Sequence, residues 1–186
     1  MSTFGDGLDQ AVQKAFTRPA PKTAGSQMRY LVKQHKSTKA VARMLRVSQR
    51  TVERYVKGQI KKPRPELAAR LEREVKARWQ PQIRARAREK AATTGGIVID
   101  VHARLGYAGA PMDSSDEDRV RHLTVALPPQ HAARLFSAQQ QGAGDDRLRE
   151  LTAEALKEVY FQDDGRRAGS LREVRISDVL NLDFEL

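Results

Sequence analysis

The side chains best suited to recognising another molecule lie between residues 49 and 64. Gln49, Arg50 and Thr51 follow one another, and Arg54 comes one helical turn later. Arginine can donate two hydrogen bonds to guanine, and glutamine can make a similar two-point pair with adenine. These four residues therefore predict contacts with the base edges of DNA. A second group predicts contacts with phosphates, which fix the register of a complex without reading sequence: Lys57, Lys61, Lys62 and Arg64.

Residues 38–57 have the layout of a helix-turn-helix, in which the second helix enters the major groove. The spacing predicts a helix that ends at Leu45, a three-residue turn and a second helix over 49–57. Ala42 provides the small residue that two closely crossing helices need at their contact. Arg46 stands where such a turn usually has glycine, because the position requires a positive φ. The alternative is an ordinary helical pair with solvated charges, but the combined pattern favours the DNA-reading unit.

Charge separates the chain into two halves. Residues 1–95 carry 23 lysines and arginines against 7 acids, a balance of +16, whereas residues 96–186 carry 11 against 16, a balance of −5. A strongly basic half attracts a polyanion, because each phosphate that it neutralises releases condensed counterions. A second basic run, Arg84 to Lys90, fits either contacts with a nucleic-acid backbone or a solvated helix face. The asymmetry predicts two modules with different partners.

No set of residues has the spacing of an enzyme active site or a metal site. The chain contains no cysteine, which excludes disulfides and thiolate metal sites. The acids of segment 109–118 could bind a divalent cation, but a solvated loop is favoured. We therefore expect no enzymatic activity, no resident cofactor and no small-molecule ligand. The histidines lack ligand spacing and a clear carboxylate partner, and they are expected to be surface or core residues: His35, His102, His122 and His131.

The apolar periodicity predicts an α+β fold, with an all-α helix-turn-helix domain followed by a smaller α/β domain. An N-terminal amphipathic helix and a linker are expected over residues 1–25, and the helix-turn-helix domain with a long basic helix over 26–92. The C-terminal α+β domain is expected over 93–186, with an acidic loop at 109–118 and a flexible join at Gly95–Gly96. Secondary structure is predicted as follows: helices over 6–18, 129–141 and 145–161, strands over 97–101 and 120–127, and several strands in the tail after residue 170.

The composition predicts a cytoplasmic protein. No apolar run approaches the roughly 20 residues that span a bilayer. The first ten residues, MSTFGDGLDQ, lack the order of basic, apolar and small residues that marks a secretion signal.

Several long blocks resemble the terminal proteins of linear actinobacterial chromosomes and plasmids, the telomere terminal protein family of Streptomyces. The resemblance covers nearly the full chain and is carried by these blocks: FGDGLDQAVQKAFTRPAPK (4–22), SQRTVERYVKGQIKKPRP (48–65), AARLEREVKARWQP (68–81), KAATTGGIVID (90–100), RHLTVALPP (121–129) and KEVYFQDDGRRAG (157–169).

The resemblance implies a protein primer that binds telomeric DNA and becomes covalently linked to the DNA 5′ end. A side-chain hydroxyl would attack the α-phosphorus of a deoxynucleotide, and the nucleotide's 3′-OH would then be extended. The resemblance implies a DNA polymerase, whose bound divalent metals activate the transfer, and a telomere-associated recruiting protein as partners. The protein would be associated with the nucleoid at chromosome ends. A homo-oligomer is compatible with this picture.

The resemblance also indicates where the attachment site lies. A primer needs an exposed hydroxyl on a loop that can enter the active site of another protein, and Ser114 and Ser115 occupy the acidic loop. The family is associated with a threonine acceptor in this region, whereas this chain has no threonine between residues 94 and 124. Ser114 and Ser115 are therefore the implied priming residues. Other hydroxyls stay open as candidates: Thr93, Thr94, Tyr107 and Thr124.

Two other functions compete with priming. A non-covalent helix-turn-helix transcriptional regulator would use the same DNA-binding residues, with the C-terminal half as a dimerisation or effector module. A nuclease or nucleotidyltransferase would need a catalytic set, which the acidic loop alone does not provide.

Overall fold

A computed structural model describes residues 3–109, 116–161 and 171–186, which form a mixed α+β structure. The described α-helices are α1 (Phe4–Lys14), α2 (Ala24–His35), α3 (Thr38–Leu45), α4 (Gln49–Val56), α5 (Pro65–Arg78), α6 (Pro81–Lys90), α7 (Pro129–Gln140) and α8 (Asp145–Leu156). Two π-helical turns follow α6 and α8, at Ala91–Gly95 and Lys157–Phe161. The strands are β1 (Ile97–Gly109), β2 (Asp116–Leu127) and β3 (Leu171–Glu185), in the antiparallel order β2-β1-β3.

Contacts divide the chain into two compact units. The helical unit is the continuous stretch Thr17–Pro81, and the sheet unit comprises Met1–Phe16 and Gln82–Leu186. This division differs from the boundaries expected from sequence, because α1 and most of α6 group with the sheet. The sheet unit is also the larger of the two, where a smaller C-terminal domain was expected.

The helical unit is built from α2 to α5 around its own apolar core. Local sequence signals start its helices: the side chains of Thr23, Ser37 and Ser48 each accept a hydrogen bond from a backbone N–H in the first turn of α2, α3 and α4. Pro65 occupies the first turn of α5, where its missing N–H has no cost. The core side chains come from all four helices: Met28, Leu31, Val41, Leu45, Val52, Leu71 and Val75.

The sheet unit buries one face of a three-stranded sheet under helices. Alternate residues of β1, at positions 97, 99, 101, 103 and 105, are buried, because successive side chains of a strand point to opposite faces. The core also includes apolar side chains of α1, α7 and α8. The other face of β1 carries Asp100, His102 and Arg104, which are half-buried or exposed.

Helix α1 belongs to this unit because its apolar face packs on β3. Phe4 and Leu8 are buried in the same core as Phe184. A Cβ added to Gly7 would lie 2.9 Å from Cδ2 of Phe184, so the helix and the strand are in close contact. Lys14 Nζ lies 2.8 Å from an oxygen of Asp183, and this hydrogen bond is the largest cause of the raised pKa of Lys14.

Several expected elements differ in extent. Strand β1 continues to Gly109 and β2 begins at Asp116, so residues 109 and 116–118, which were expected to belong to the acidic loop, lie in strands. The tail forms one strand with irregular pairing rather than several strands. The helix expected over 145–161 ends as an α-helix at Leu156 and continues as a π-helical turn.

Gly96, in the glycine pair that was expected to be a flexible join, is in tight contact with a neighbouring strand. Gly96 has φ 69° and ψ −159°, a backbone conformation that residues other than glycine rarely adopt. A Cβ at this position would lie 2.3 Å from the carbonyl oxygen of Leu127, in the strand that β1 pairs with. Among the described helices, none is both long and apolar enough to cross a membrane.

Candidate nucleic-acid interface

Helices α3 and α4 are held in place by buried side chains on their inner faces. Val41, Leu45 and Val52 are fully buried, and Tyr55 is 4% exposed. Ala42, also buried, lies on the inner face of α3. These apolar side chains belong to the core of the helical unit, and the partly buried Val47 packs against it.

The turn between the two helices has the backbone geometry that the sequence required. Arg46 adopts a left-handed conformation, with φ 54° and ψ 49°. The next N–H, of Val47, donates to the carbonyl of Ala42 over 3.0 Å. Ser48 then begins α4, and its hydroxyl oxygen accepts the N–H of Thr51 over 3.1 Å. An arginine thus occupies the position that glycine usually takes.

The four predicted base-reading residues fall into two groups. Gln49, Arg50 and Arg54 are exposed on α4. Within the described part of the chain, the side chains of Arg50 and Arg54 have no hydrogen bond or ion pair. Thr51 is half-buried, and its hydroxyl lies 2.8 Å from the hydroxyl of Ser48. Arg50 and Arg54 are available to a ligand, whereas Thr51 completes the helix cap.

Gln49 makes two side-chain contacts that the sequence reading did not identify. Its amide nitrogen Nε2 lies 3.1 Å from Oγ1 of Thr38, at the start of α3. The same nitrogen lies 3.0 Å from Oε1 of Glu53, one turn further along α4. The four-residue spacing of Gln49 and Glu53 was a readable signal, whereas the contact with Thr38 depends on how α3 and α4 cross.

The predicted phosphate-binding residues are all exposed: Lys57, Lys61, Lys62 and Arg64. They follow the end of α4, which Gly58 terminates with φ 75°, and Gln59 N–H donates to the carbonyl of Arg54 over 2.9 Å. The helical unit contains 18 lysines and arginines against 4 acids, a net charge of +14. The exposed side of this unit can attract a polyanion over a long distance at low salt.

The second basic run is partly structural. Arg84 is 8% exposed, and its guanidinium lies 2.8 Å from a carboxylate oxygen of Asp9. Arg88 contacts the same carboxylate oxygen at 3.4 Å and lies over the ring of Phe136. The sequence left two alternatives for this run, contacts with a nucleic-acid backbone or a solvated helix face. Neither applies to Arg84 or Arg88, because both side chains contact Asp9 within the protein. Arg86 and Lys90 are exposed.

The hydroxyl candidates for covalent attachment have different environments. Ser114 and Ser115 lie outside the described residues. Thr93 and Thr94 donate to the carbonyls of Glu89 and Lys90, each four residues earlier in the chain. Thr124 is exposed, and its hydroxyl donates to a carboxylate oxygen of Asp100 over 2.7 Å.

Two histidines have carboxylate partners that the sequence reading did not find. Nε2 of His122 lies 3.0 Å from Asp100 across the β1–β2 pair, and the buried His131 lies 3.5 Å from Glu158. The hydrogen bonds from Thr124 and His122 lower the pKa of Asp100. No group of three or more histidines and acids in the described ranges is arranged to hold a metal ion.

Comparisons of the chain with protein-family models, with curated proteins and with solved structures find no match.

Proposed function

We propose that this protein binds DNA through α3 and α4, which act as a helix-turn-helix with α4 in the major groove. One observation carries this proposal: α4 exposes Gln49, Arg50 and Arg54 together on a unit of net charge +14. Arg50 and Arg54 would contact bases or adjacent phosphates, and Thr51 would act through the helix cap.

The phosphate contacts extend the same surface. Lys57, Lys61, Lys62 and Arg64 follow α4 directly and would neutralise the backbone beside the groove. If these four cations and the helix residues each displace a counterion, the affinity falls steeply with salt.

We further propose that the DNA-bound protein is a telomere terminal protein, which primes terminal DNA synthesis and is not itself an enzyme. The sequence blocks named above support this role. The nucleotide would be joined to Ser114 or Ser115, and a DNA polymerase with its divalent metals would perform the transfer. Telomeric DNA, the polymerase and a telomere-associated recruiting protein are the partners, and the protein would act at the nucleoid.

The DNA-binding step is tested by replacing one exposed arginine of α4 and, as a control, one exposed arginine outside α3 and α4. Arg50→Ala should weaken duplex binding by about tenfold or more, because a good base contact is worth about 1–3 kcal/mol. Arg175→Ala removes the same charge from an exposed position of β3, in the sheet unit, and should change affinity by less than about twofold. Fluorescence anisotropy at moderate salt measures both. Equal effects of the two substitutions would contradict the groove assignment.

The priming step is tested with a telomeric template, extract from the source cell and a labelled deoxynucleotide. Label should remain on the protein through denaturation and disappear in the double variant Ser114→Ala/Ser115→Ala. Ser137→Ala, at an exposed position of α7, is the matched control and should keep the label. Sequence-specific duplex binding without any labelled protein would favour the transcriptional regulator instead. Metal-dependent turnover by the purified protein alone would indicate a nuclease or nucleotidyltransferase.

A further inference from the structure

The two contacts of Gln49 fix the orientation of its side-chain amide. A carboxylate at neutral pH can only accept hydrogen bonds, so the atom 3.0 Å from Glu53 Oε1 must be the amide nitrogen. The second contact of that nitrogen, 3.1 Å to the hydroxyl oxygen of Thr38, uses its other N–H. Both donors of the amide are therefore engaged inside the protein.

The remaining polar atom of this side chain is the carbonyl oxygen, which can only accept. Gln49 is the first residue of α4 and is exposed, and the first residues of a recognition helix face the base edges. We infer that Gln49 is a specificity-determining residue that accepts a hydrogen bond from an exocyclic amino group in the major groove, while Thr38 and Glu53 act as positioning residues. This inference rests on the proposed DNA-binding function.

The chemistry of the major groove turns this geometry into a base preference. Adenine presents an amino group at N6 and cytosine at N4, whereas guanine and thymine present only acceptor atoms and, in thymine, a methyl group. A lone carbonyl oxygen is thus compatible with adenine and cytosine, and it would face an acceptor at guanine and thymine. A glutamine with a free amide selects adenine instead, because it donates to N7 while it accepts from N6. Engagement by Glu53 and Thr38 should therefore broaden the preference from adenine to adenine or cytosine.

The carboxylate of Glu53 has the larger positioning role of the two. It is half-buried on α4, and as a charged acceptor it makes a stronger hydrogen bond than a neutral hydroxyl. Removing it frees one N–H of Gln49 to turn toward the groove. Glu53→Gln keeps an acceptor oxygen at the same distance from the helix axis and should preserve the original orientation.

The experiment uses the full chain and a selection from a randomised duplex library, followed by affinity measurements on four duplexes that differ at one selected base pair. At the position read by Gln49, the wild type should bind the adenine and cytosine duplexes within about threefold of each other and about tenfold more tightly than the guanine and thymine duplexes. Gln49→Ala should bind all four within about threefold. Glu53→Ala should prefer adenine over cytosine by about tenfold, and Glu53→Gln should restore the wild-type profile.

Glu66→Ala is the matched control for charge, because it removes an exposed acid from the first turn of α5. It should raise the affinity for all duplexes equally and leave the base preference unchanged. The inference is overturned if Gln49→Ala keeps the wild-type preference at every position, or if Glu53→Ala changes only the overall affinity, as Glu66→Ala does. A wild-type protein that selects no duplex sequence and binds none would instead remove the proposed function itself.

Discussion

Gly96 offers the sharpest test of how the sheet unit is built. Its backbone conformation, φ 69° and ψ −159°, is one that glycine adopts readily and other residues do not. An added Cβ would lie 2.3 Å from the carbonyl oxygen of Leu127 and 3.3 Å from its carbonyl carbon. Both neighbours are backbone atoms of a paired strand, since Ile97 and Leu127 are register partners. Neither can move away without disturbing the pairing.

The expected cost of Gly96→Ala follows from two terms. Holding a non-glycine residue in this region costs about 1–3 kcal/mol. Relieving the contact requires a backbone shift of about 1 Å, and overpacking of this kind costs about 1–3 kcal/mol. The sum is about 2–6 kcal/mol, which lowers the midpoint of thermal unfolding of the sheet unit by roughly 8–24 °C, at about 4 °C per kcal/mol for a unit of this size.

Gly95→Ala is the matched control. The nearest atom to an added Cβ there is the carbonyl oxygen of Lys90 at 3.6 Å, an ordinary contact, and the position is helical. Alanine is a better helix former than glycine, so this change should leave the midpoint unchanged or raise it slightly. Circular dichroism during heating and urea titration measures both variants.

DNA binding separates the two units in the same experiment. The core of the helical unit lies entirely within its own residues. Duplex affinity of Gly96→Ala at about 15 °C should therefore stay within about twofold of the wild type. A midpoint for Gly96→Ala within about 2 °C of that of Gly95→Ala would refute the close approach of β1 and β2 at this point.

Three further predictions concern the caps and ion pairs. Gly58→Ala should lower the free energy of unfolding by about 1 kcal/mol in urea titration, because φ is 75° and no neighbouring atom lies within 4 Å of the new methyl group. Asp9→Asn should lower the free energy of unfolding by about 1–3 kcal/mol, because Arg84 is 8% exposed and loses the carboxylate that it contacts, while Asp9 itself is partly solvated. An unchanged free energy of unfolding in urea titration would contradict a stabilising role for this ion pair. For Asp100, whose pKa is lowered chiefly by the hydrogen bond from Thr124, the wild type should be more stable than Asp100→Asn above about pH 4 and should lose this advantage as the pH falls through the lowered pKa. An advantage that is constant down to pH 2 would contradict the assignment.

The helical unit was predictable because its signals are local. Ser48 and Gly58 mark the start and end of α4 within a few residues of the helix itself. The periodic positions of Val41, Leu45 and Val52 give the inner face of the pair. Helix caps and the 3.6-residue periodicity depend only on residues that are close in sequence. Both can therefore be recognised without knowing the tertiary structure.

The assignment of α1 could not be predicted in this way. The helix was expected as part of a separate N-terminal segment, but its apolar face packs on Phe184, at the other end of the chain. Asp9 likewise pairs with Arg84 across 75 residues. The amphipathic pattern of α1 indicates that its apolar face is buried against other residues. The pattern does not indicate which part of the chain provides those residues.

The partner of His122 was missed for a related reason. Strand alternation could place Asp100 and His102 on one face of β1, but the register with β2 decides which residue faces them. The register pairs Asp100 with Thr124 and His102 with His122, so the carboxylate reaches both a hydroxyl and an imidazole. A one-residue slip of β2 would have turned Thr124 and His122 to the other face of the sheet, away from Asp100.

The distribution of charge has a consequence for the proposed primer. The helical unit carries +14, whereas the sheet unit, with 16 lysines and arginines against 19 acids, carries −3. Asp9 takes up two arginines of the basic run, so Arg84 and Arg88 would have to leave a partly buried ion pair before they could contact phosphates. Under the proposed function, DNA affinity is then concentrated in one unit, and the acidic unit that contains Ser114 and Ser115 is not attracted to the duplex. A hydroxyl that has to enter the active site of a polymerase benefits from this arrangement, because the DNA to which the protein is bound does not compete for the segment that carries it.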